Sequence, residues 1–390
     1  MSDLPTISWV EAGETRSAVW QSEAGVLPHK RVVVADDTIT ADAAYRLACE
    51  GTALLWRGDF QNARQLLQAM ARRVDSKSKA KKPKSAAQQP ASQQATPAEA
   101  FHLHRQAQSQ RARTLGMLLV PVNADYSIPL KRSPEVHQAF SEVYGERIEG
   151  FIISLRELLG LIGAHEWRKN GVEIPALANR IHPYYGVFSP VRGEYINLVA
   201  NAPLPSTTLA FDIGTGSGIL AAVLAKRGVH HIIATDQDPR ALACAQDNLD
   251  RLSYANQVEL LKTDLFPPGR APLIVCNPPW LPARPSSPIE HAIYDQDSLM
   301  LLGFINGLAE HLTPDGEGWL ILSDFAEHLG LRSREELLGA IAKAGLRVLG
   351  KIDVKPQHPK VSDSSDALHN ARSKELTSLW RLALVDQTQS

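Results

Sequence analysis

Phe211-Asp212-Ile213-Gly214-Thr215-Gly216-Ser217-Gly218 is the stretch on which the fold turns. A β-rich apolar run, Leu209 to Ile213, leads into three glycines at alternate positions, and a helical segment follows. A turn of this kind lets backbone come close to a nucleotide-like ligand, where side chains would obstruct it. Ile219 stands where a dinucleotide Gly-x-Gly-x-x-Gly fingerprint has its last glycine, which weakens a nicotinamide-dehydrogenase reading. Outward from the turn, short β-rich runs alternate with helical segments: His231–Thr235, Val258–Lys262, Leu273–Cys276, Trp319–Ser323, Leu346–Val354 and Thr377–Val385. With Leu209–Ile213 they predict a seven-stranded, largely parallel α/β sheet. Pro314-Asp315-Gly316 reads as a turn, and Ser333 with Glu336 as a capping box for a helix that stops at Gly345.

The ends of these strands carry the chemistry. Asp236 closes the second strand, 22 residues beyond Gly214, where a carboxylate accepts from both hydroxyls of a ribose. Lys262-Thr263-Asp264-Leu265 closes the third, so Asp264 could accept from an adenine amine while Leu265 packs on the ring; a turn cap is the rival reading of Asp264. Ile274-Val275-Cys276-Asn277-Pro278-Pro279-Trp280-Leu281-Pro282 closes the fourth, at the edge where open α/β sheets place ligands. Pro278 and Pro279 fix the backbone and remove two N–H donors, leaving the Asn277 oxygen and the Pro278 carbonyl as acceptors. Two such acceptors suit a planar NH2 group, a weak nucleophile that must be held in line with an electrophilic methyl group. Trp280 is expected to stack on the flat target. No metal is called for, since the proton can leave after the transfer.

These motifs, taken in order, resemble the class I S-adenosylmethionine-dependent methyltransferases, within the group whose Asn-Pro-Pro-aromatic motif methylates planar nitrogens. Asp212 to Gly218, Asp236 with Ala241, Ala245 and Asn248, Thr263 to Phe266, and Ile274 to Pro282 are most similar to release-factor glutamine methyltransferases. The resemblance spans about 188 to 385 and implies a Rossmann-like methyltransferase domain. It implies cofactor contacts from Asp212, Gly214, Thr215, Gly216, Gly218, Asp236, Gln237, Asp264, Leu265 and Asn277, with Asn277, Pro278, Pro279 and Trp280 at the target nitrogen. Phe188-Ser189-Pro190-Val191-Arg192-Gly193-Glu194 takes the place of the segment that precedes the glycine turn in such enzymes. Trp280 stands where tyrosine is commoner, and Asp295-Gln296-Asp297 where a glycine pair is expected.

The remaining chain is less explicit. Of its 390 residues 44% are hydrophobic and 21% charged, with a net charge of -1, as for a soluble globular protein with room for two or three domains. Residues 60–132, however, hold 13 Lys+Arg against 3 Asp+Glu. Cys49, Cys244 and Cys276 are too few and too scattered for a disulfide framework or a Cys-x-x-Cys metal site. No secretory signal or membrane span is read, so a cytoplasmic protein without membrane contact is expected. An amphipathic helix from Phe60 to Arg73 after Asp59, a polar helix from Pro97 to Arg113, a strand at Met117–Val122 and a helix from Arg147 to Leu161 predict a mainly helical amino-terminal region. The domain plan is therefore 1–74 helical, 75–100 a low-complexity basic linker with Lys77, Lys79, Lys81, Lys82 and Lys84, 101–187 an auxiliary region and 188–390 the catalytic domain.

The function expected is S-adenosylmethionine-dependent N-methylation of a planar nitrogen in a macromolecule, first a protein glutamine side-chain amide. The alternative is an exocyclic amine of adenine or guanine in RNA or DNA, presented as a flipped base. The basic 60–132 region would give contact with RNA or the ribosome. A non-catalytic RNA-binding module built on the same fold is the alternative of another class.

Overall fold

A computed structural model describes residues 4–80, 96–190, 193–285, 290, 292–357, 363 and 366–385. Lys81, Lys82 and Lys84 of the basic linker, and Val191 and Arg192, lie outside the described residues. The chain divides into two compact units, Met1–Thr96 with His102–Glu166, and Pro97–Phe101 with Trp167–Ser390. Among the described residues no helix is long and apolar enough to cross a membrane.

The first unit is built on a six-stranded sheet of β1 (Thr6–Glu11), β2 (Glu14–Gln21), β3 (Val32–Ala35), β4 (Ala53–Trp56), β5 (Leu118–Val122) and β6 (Phe151–Ser154), in the order β1-β2-β6-β5-β4-β3. Its helices are α1 (Ala41–Cys49), α2 (Phe60–Ala80), most of α3 (Pro97–Leu115), α4 (His137–Tyr144) and most of α5 (Leu155–Asn170). The expected helices at Phe60 and Pro97 are present, and Asp59 does begin the first, its Oδ1 accepting from Gln61 N at 2.8 Å. That first helix runs past Asp75 into the expected linker. Of the six strands, the sequence reading foresaw one, at Leu118–Val122.

Two expectations need correcting. The amino-terminal region is not mainly helical: six strands between Thr6 and Ser154 pair into one sheet. The apolar stripe from Arg147 to Leu161 is not a single helix: Phe151–Ser154 is a buried strand, and the helix begins at Leu155. Ser154 divides the two, its Oγ accepting from Glu157 N at 3.1 Å as a helix cap does. The strand is fixed by antiparallel pairing with β5, Val120 opposite Ile153 and Val122 opposite Phe151.

The second unit carries a two-stranded ribbon, β7 (Val172–Ile174) with β8 (Asn179–Ile181), and a seven-stranded sheet. The latter comprises β9 (Leu209–Ile213), β10 (His231–Asp236), β11 (Val258–Lys262), β12 (Ala271–Cys276), β13 (Leu312–Ser323), β14 (Leu346–Val354) and β15 (Thr377–Leu384). Its order is β11-β10-β9-β12-β13-β15-β14, parallel throughout except that β15 runs against both neighbours. The expected strands agree with it to within two residues, except that β13 begins at Leu312, seven residues before the expected Trp319. Pro314-Asp315-Gly316 bulges out of β13 where its register with β12 shifts.

Helices α6 (Glu194–Asn201), α7 (Ile219–Lys226), α8 (Pro239–Arg251), α9 (Leu299–His311), α10 (Phe325–His328), α11 (Arg334–Lys343) and α12 (His369–Arg372) complete this unit. Central strands covered on both faces need apolar residues throughout, and β9, β12 and Gly316–Ser323 of β13 are almost wholly buried. Helix α7 is buried from Ile219 to Ala225, so the glycine turn is anchored at both ends in core.

Topology and register place the site. From β9 the chain moves outward to β10 and β11, then returns to β12 on the other side of β9, which makes the β9/β12 gap the point where strand order reverses. Open α/β sheets bind ligands in the crevice outside the strand ends at that point. Thr235, Ile213, Cys276 and Leu320 stand side by side in register. Asp236, Gly214 and Asn277 are therefore the next residues on three adjacent strands, with Asp236 and Asn277 about 10 Å apart at strand spacing.

Candidate active site

Gly214, Gly216 and Gly218 adopt φ of +71°, +56° and +79°, a left-handed conformation that side chains disfavour. Two of them also permit close approach. The terminal methyl of Met300 sits where a Cβ on Gly214 would go, and a Cβ on Gly218 would stand 3.1 Å from Ala245 of α8. The space beside Gly216 is open.

The loop is held from beneath. Thr215 N donates to Thr235 O at 2.8 Å, and Gly216 N to Asp236 Oδ2 at 3.0 Å. Asp212, only 1% exposed, takes Thr215 Oγ1 at 2.7 Å and Ala221 N at 3.0 Å on its Oδ2. Burial pushes its carboxyl up to about 6, with the nearby Asp236 charge adding to the rise. Asn248, buried on α8, accepts from His182 N at 2.6 Å and donates to Ser217 O at 3.0 Å, tying the turn to the segment after β8.

Asp236 leaves β10 with both carboxylate oxygens engaged, Oδ2 by Gly216 N and Oδ1 by Asp238 N at 2.9 Å. A carboxylate has about four acceptor positions, so capacity remains for a ribose hydroxyl. Burial raises this carboxyl above its ordinary value. Gln237 Nε2 donates to Asp264 Oδ1, so the two residues expected near the adenine are joined to each other. Leu265 is half-buried at φ +61°, its carbonyl accepting from Thr235 Oγ1 at 2.6 Å, which brings the end of β11 against β10.

This donor set fits S-adenosylmethionine. Asp212 and Asp236 sit at the turn, Asp264 beyond it, and Asp212 to Gly218 include no cation. Such a site suits a ligand with a sulfonium and an ammonium group, a diol and an adenine amine. A pyrophosphate would meet the same carboxylates as like charges. The sulfonium of that cofactor supplies an electrophilic methyl group.

On the neighbouring strand, Asn277 is half-buried, Pro278 buried and Trp280 half-buried. The indole Nε1 of Trp280 donates to Asn277 Oδ1 at 3.0 Å, and its ring packs against the core on both faces of the sheet. The indole that was expected to stack on the flat target thus also has its N–H engaged by Asn277. Beyond it the chain doubles back, with Asp295 N donating to Leu281 O at 2.8 Å and Leu281 N to Ile293 O at 3.2 Å. Buried Asp295 then starts α9 by accepting from Met300 N and Leu301 N, each at 3.1 Å. Asp297 and Ser298 follow at φ +56° and +55°, a conformation glycine takes without strain; of the two, only Asp297 lies in the stretch where a glycine pair was expected.

Site-directed sequence reasoning missed Met300, Asp295 as a cap, and the bridging role of Asn248. Asp295 did carry a signal, a carboxylate ahead of the apolar run that becomes α9. Met300 lies 86 positions from the glycine it covers and left no local signal.

Comparison with known proteins adds kinship to this geometry. A family profile described as ribosomal protein L11 methyltransferase (PrmA) matches residues 199–278. A tRNA1(Val) (adenine(37)-N6)-methyltransferase of Shewanella loihica is 27% identical over 213 residues, 50% of this chain and 85% of that protein. A release factor glutamine methyltransferase of Geobacter sulfurreducens is 31% identical over 156 residues, 36% of this chain and 52% of that protein. A SAM-dependent methyltransferase of Geobacter sulfurreducens, solved with S-adenosyl-L-homocysteine, aligns over 55% of this chain and 99% of its own at 17% identity and a TM-score of 0.36. With a methyltransferase profile and methyltransferase sequence relatives, and a strand edge whose residues fit the cofactor, the chain is an S-adenosylmethionine-dependent methyltransferase.

Proposed function

We propose that the chain methylates the nitrogen of a planar amide or amine in a macromolecule, and that this nitrogen is a glutamine side-chain amide of a protein. The observation that carries the reading is the Asn277–Pro278 corner on the strand next to the glycine turn, where the Asn277 carboxamide oxygen is oriented by the Trp280 indole. An amide nitrogen has a delocalised lone pair and attacks poorly. The Asn277 oxygen and the Pro278 carbonyl would each take one of its hydrogens, aim the lone pair at the methyl group and stabilise the positive charge that grows on nitrogen. The proton then leaves the product nitrogen without a dedicated base. Asn277, Pro278 and Pro279 act at the target, and Asp236, Gln237, Asp264 and Leu265 at the nucleoside of the cofactor, with Gly214, Gly216 and Gly218 giving its methionine part room.

A second reading, an exocyclic amine of adenine or guanine in RNA or DNA, has its own support. The tRNA adenine methyltransferase relative is spanned over 85% of its length, the glutamine methyltransferase relative over 52%. The ten-charge excess of residues 60–132 suits phosphate. A non-catalytic RNA-binding role is set aside, because both of these relatives are named as catalysts. Incubating the purified protein with methyl-labelled cofactor and cell extract separates the two substrates. Label removed by protease and retained after nuclease supports the amide; label removed by nuclease and retained after protease overturns it in favour of the base.

A further inference from the structure

We propose that Trp280 is a positioning residue: its indole N–H fixes which end of the Asn277 carboxamide faces the target nitrogen. The inference rests on the reading of Asn277 as an acceptor for that nitrogen.

A carboxamide has an acceptor end and a donor end of nearly the same shape, and a half-turn about its terminal bond exchanges them. Only one of the two orientations serves an incoming NH2 group, because the other meets its hydrogens with N–H donors. Nothing in an asparagine side chain itself makes the choice. The indole N–H does, since it donates and never accepts. Placed 3.0 Å from the carboxamide, it pairs with Oδ1 and turns Nδ2 away. A carbonyl oxygen has two lone pairs, so one remains for the target.

The indole is itself held. Its ring packs against the core on both faces of the sheet, and Pro278 and Pro279 restrict the backbone between the two partners. A half-turn of Asn277 would leave this N–H facing another donor. Tyrosine at this position both donates and accepts, so its hydroxyl could pair with either end of the carboxamide and would not enforce the choice.

The test is a double-mutant cycle on the full chain, read as the initial rate of label transfer from cofactor into extract macromolecules. Trp280→Phe keeps an apolar ring and removes the N–H; it should lower kcat about tenfold, within the range for the loss of one hydrogen bond, with S-adenosylhomocysteine affinity by calorimetry within about twofold. In an Asn277→Asp background the same change should cost under about threefold, because both carboxylate atoms accept and no orientation remains to be enforced. Equal losses in the two backgrounds, or no loss in the wild-type background, would overturn the proposal.

Absence of transfer by the unmodified chain would instead overturn the function on which it rests. A second measurement stands apart from activity. In protein labelled with 15N-tryptophan, the indole signal that disappears in Trp280→Phe should exchange with solvent at least about tenfold faster in Asn277→Ala. An unchanged exchange rate would show that Asn277 does not restrain the indole, and the proposal would fall whatever the activity.

Discussion

Replacing Asp212 by asparagine should make the second unit more stable at pH 8 while weakening its hold on cofactor. The carboxylate is 1% exposed, and its Oδ2 receives both Thr215 Oγ1 and Ala221 N. Those bonds favour the charged form, yet burial outweighs them and lifts the carboxyl from an ordinary 3.8 to about 6. The folded state thus holds this proton more tightly than the unfolded chain. Stability from this group is fully present below about pH 4, declines as pH rises through 6, and is absent above it. The charge at neutral pH therefore costs on the order of 3 kcal/mol, from 1.36 kcal/mol per pH unit. Asp212→Asn keeps an oxygen for both donors and removes the charge. At a few degrees per kcal/mol for a unit of this size, the gain is at most about 10 °C in the calorimetric transition that S-adenosylhomocysteine shifts. The gain should shrink to nothing near pH 4. Affinity for S-adenosylhomocysteine, whose ammonium group favours a carboxylate, should fall in the variant, and in the unmodified protein as pH drops below 6. A variant less stable than the parent at pH 8, or equally changed at pH 4 and pH 8, would refute the argument that a buried charge is retained at the cost of stability.

Asn277→Ala should abolish transfer and leave S-adenosylhomocysteine affinity within severalfold, whereas Asp236→Ala should weaken that affinity by about 1.5 to 3 kcal/mol, both by calorimetry. Equal loss of affinity in the two would mean their roles are wrongly divided. Gly218→Ala places a Cβ 3.1 Å from Ala245 at φ +79°; unfolding in urea should show a loss of about 1 to 3 kcal/mol. Ser298→Gly relieves a left-handed residue at φ +55° and should add about 0.5 to 1 kcal/mol, with Asp297→Gly adding less because aspartate tolerates that conformation better.

The strands of the second unit could be read from sequence because a parallel strand buried on both faces is an unbroken apolar run with turn chemistry at its ends. Leu209–Ile213, Val258–Lys262 and Leu346–Val354 coincide with the expectation. The first unit offered no such contrast. Phe151, Ile152, Leu155, Leu158 and Leu159 satisfy a helical period equally well whether Phe151–Ser154 is helix or strand. Pairing with Val120 and Val122 decides it, and those residues lie some thirty positions earlier. Ala53–Trp56 is likewise four apolar residues whose only distinction is the partner on either side.

The same division runs through the site. That Asp236, Gly214 and Asn277 come together was readable, because strand ends in register bring successive loops to one edge, and each end carried its own turn residues. How the side chains are used there was not, because a polar group's role depends on which donor or acceptor reaches it first. Asp212 was expected at the cofactor, and its Oδ2 also holds the turn by accepting from Thr215 and Ala221. Trp280 was expected to stack on the target, and its polar atom is turned to Asn277. The Asp212–Thr215 and Trp280–Asn277 pairings are each between residues three apart, near enough to have been considered, but each has a competing geometry until the surrounding core fixes one of them. Sequence therefore locates a site through backbone, which is set by burial and turns. The assignment of lone pairs within it waits on packing, and for Asn277 that assignment separates a corner that would attract an NH2 group from one that would repel it.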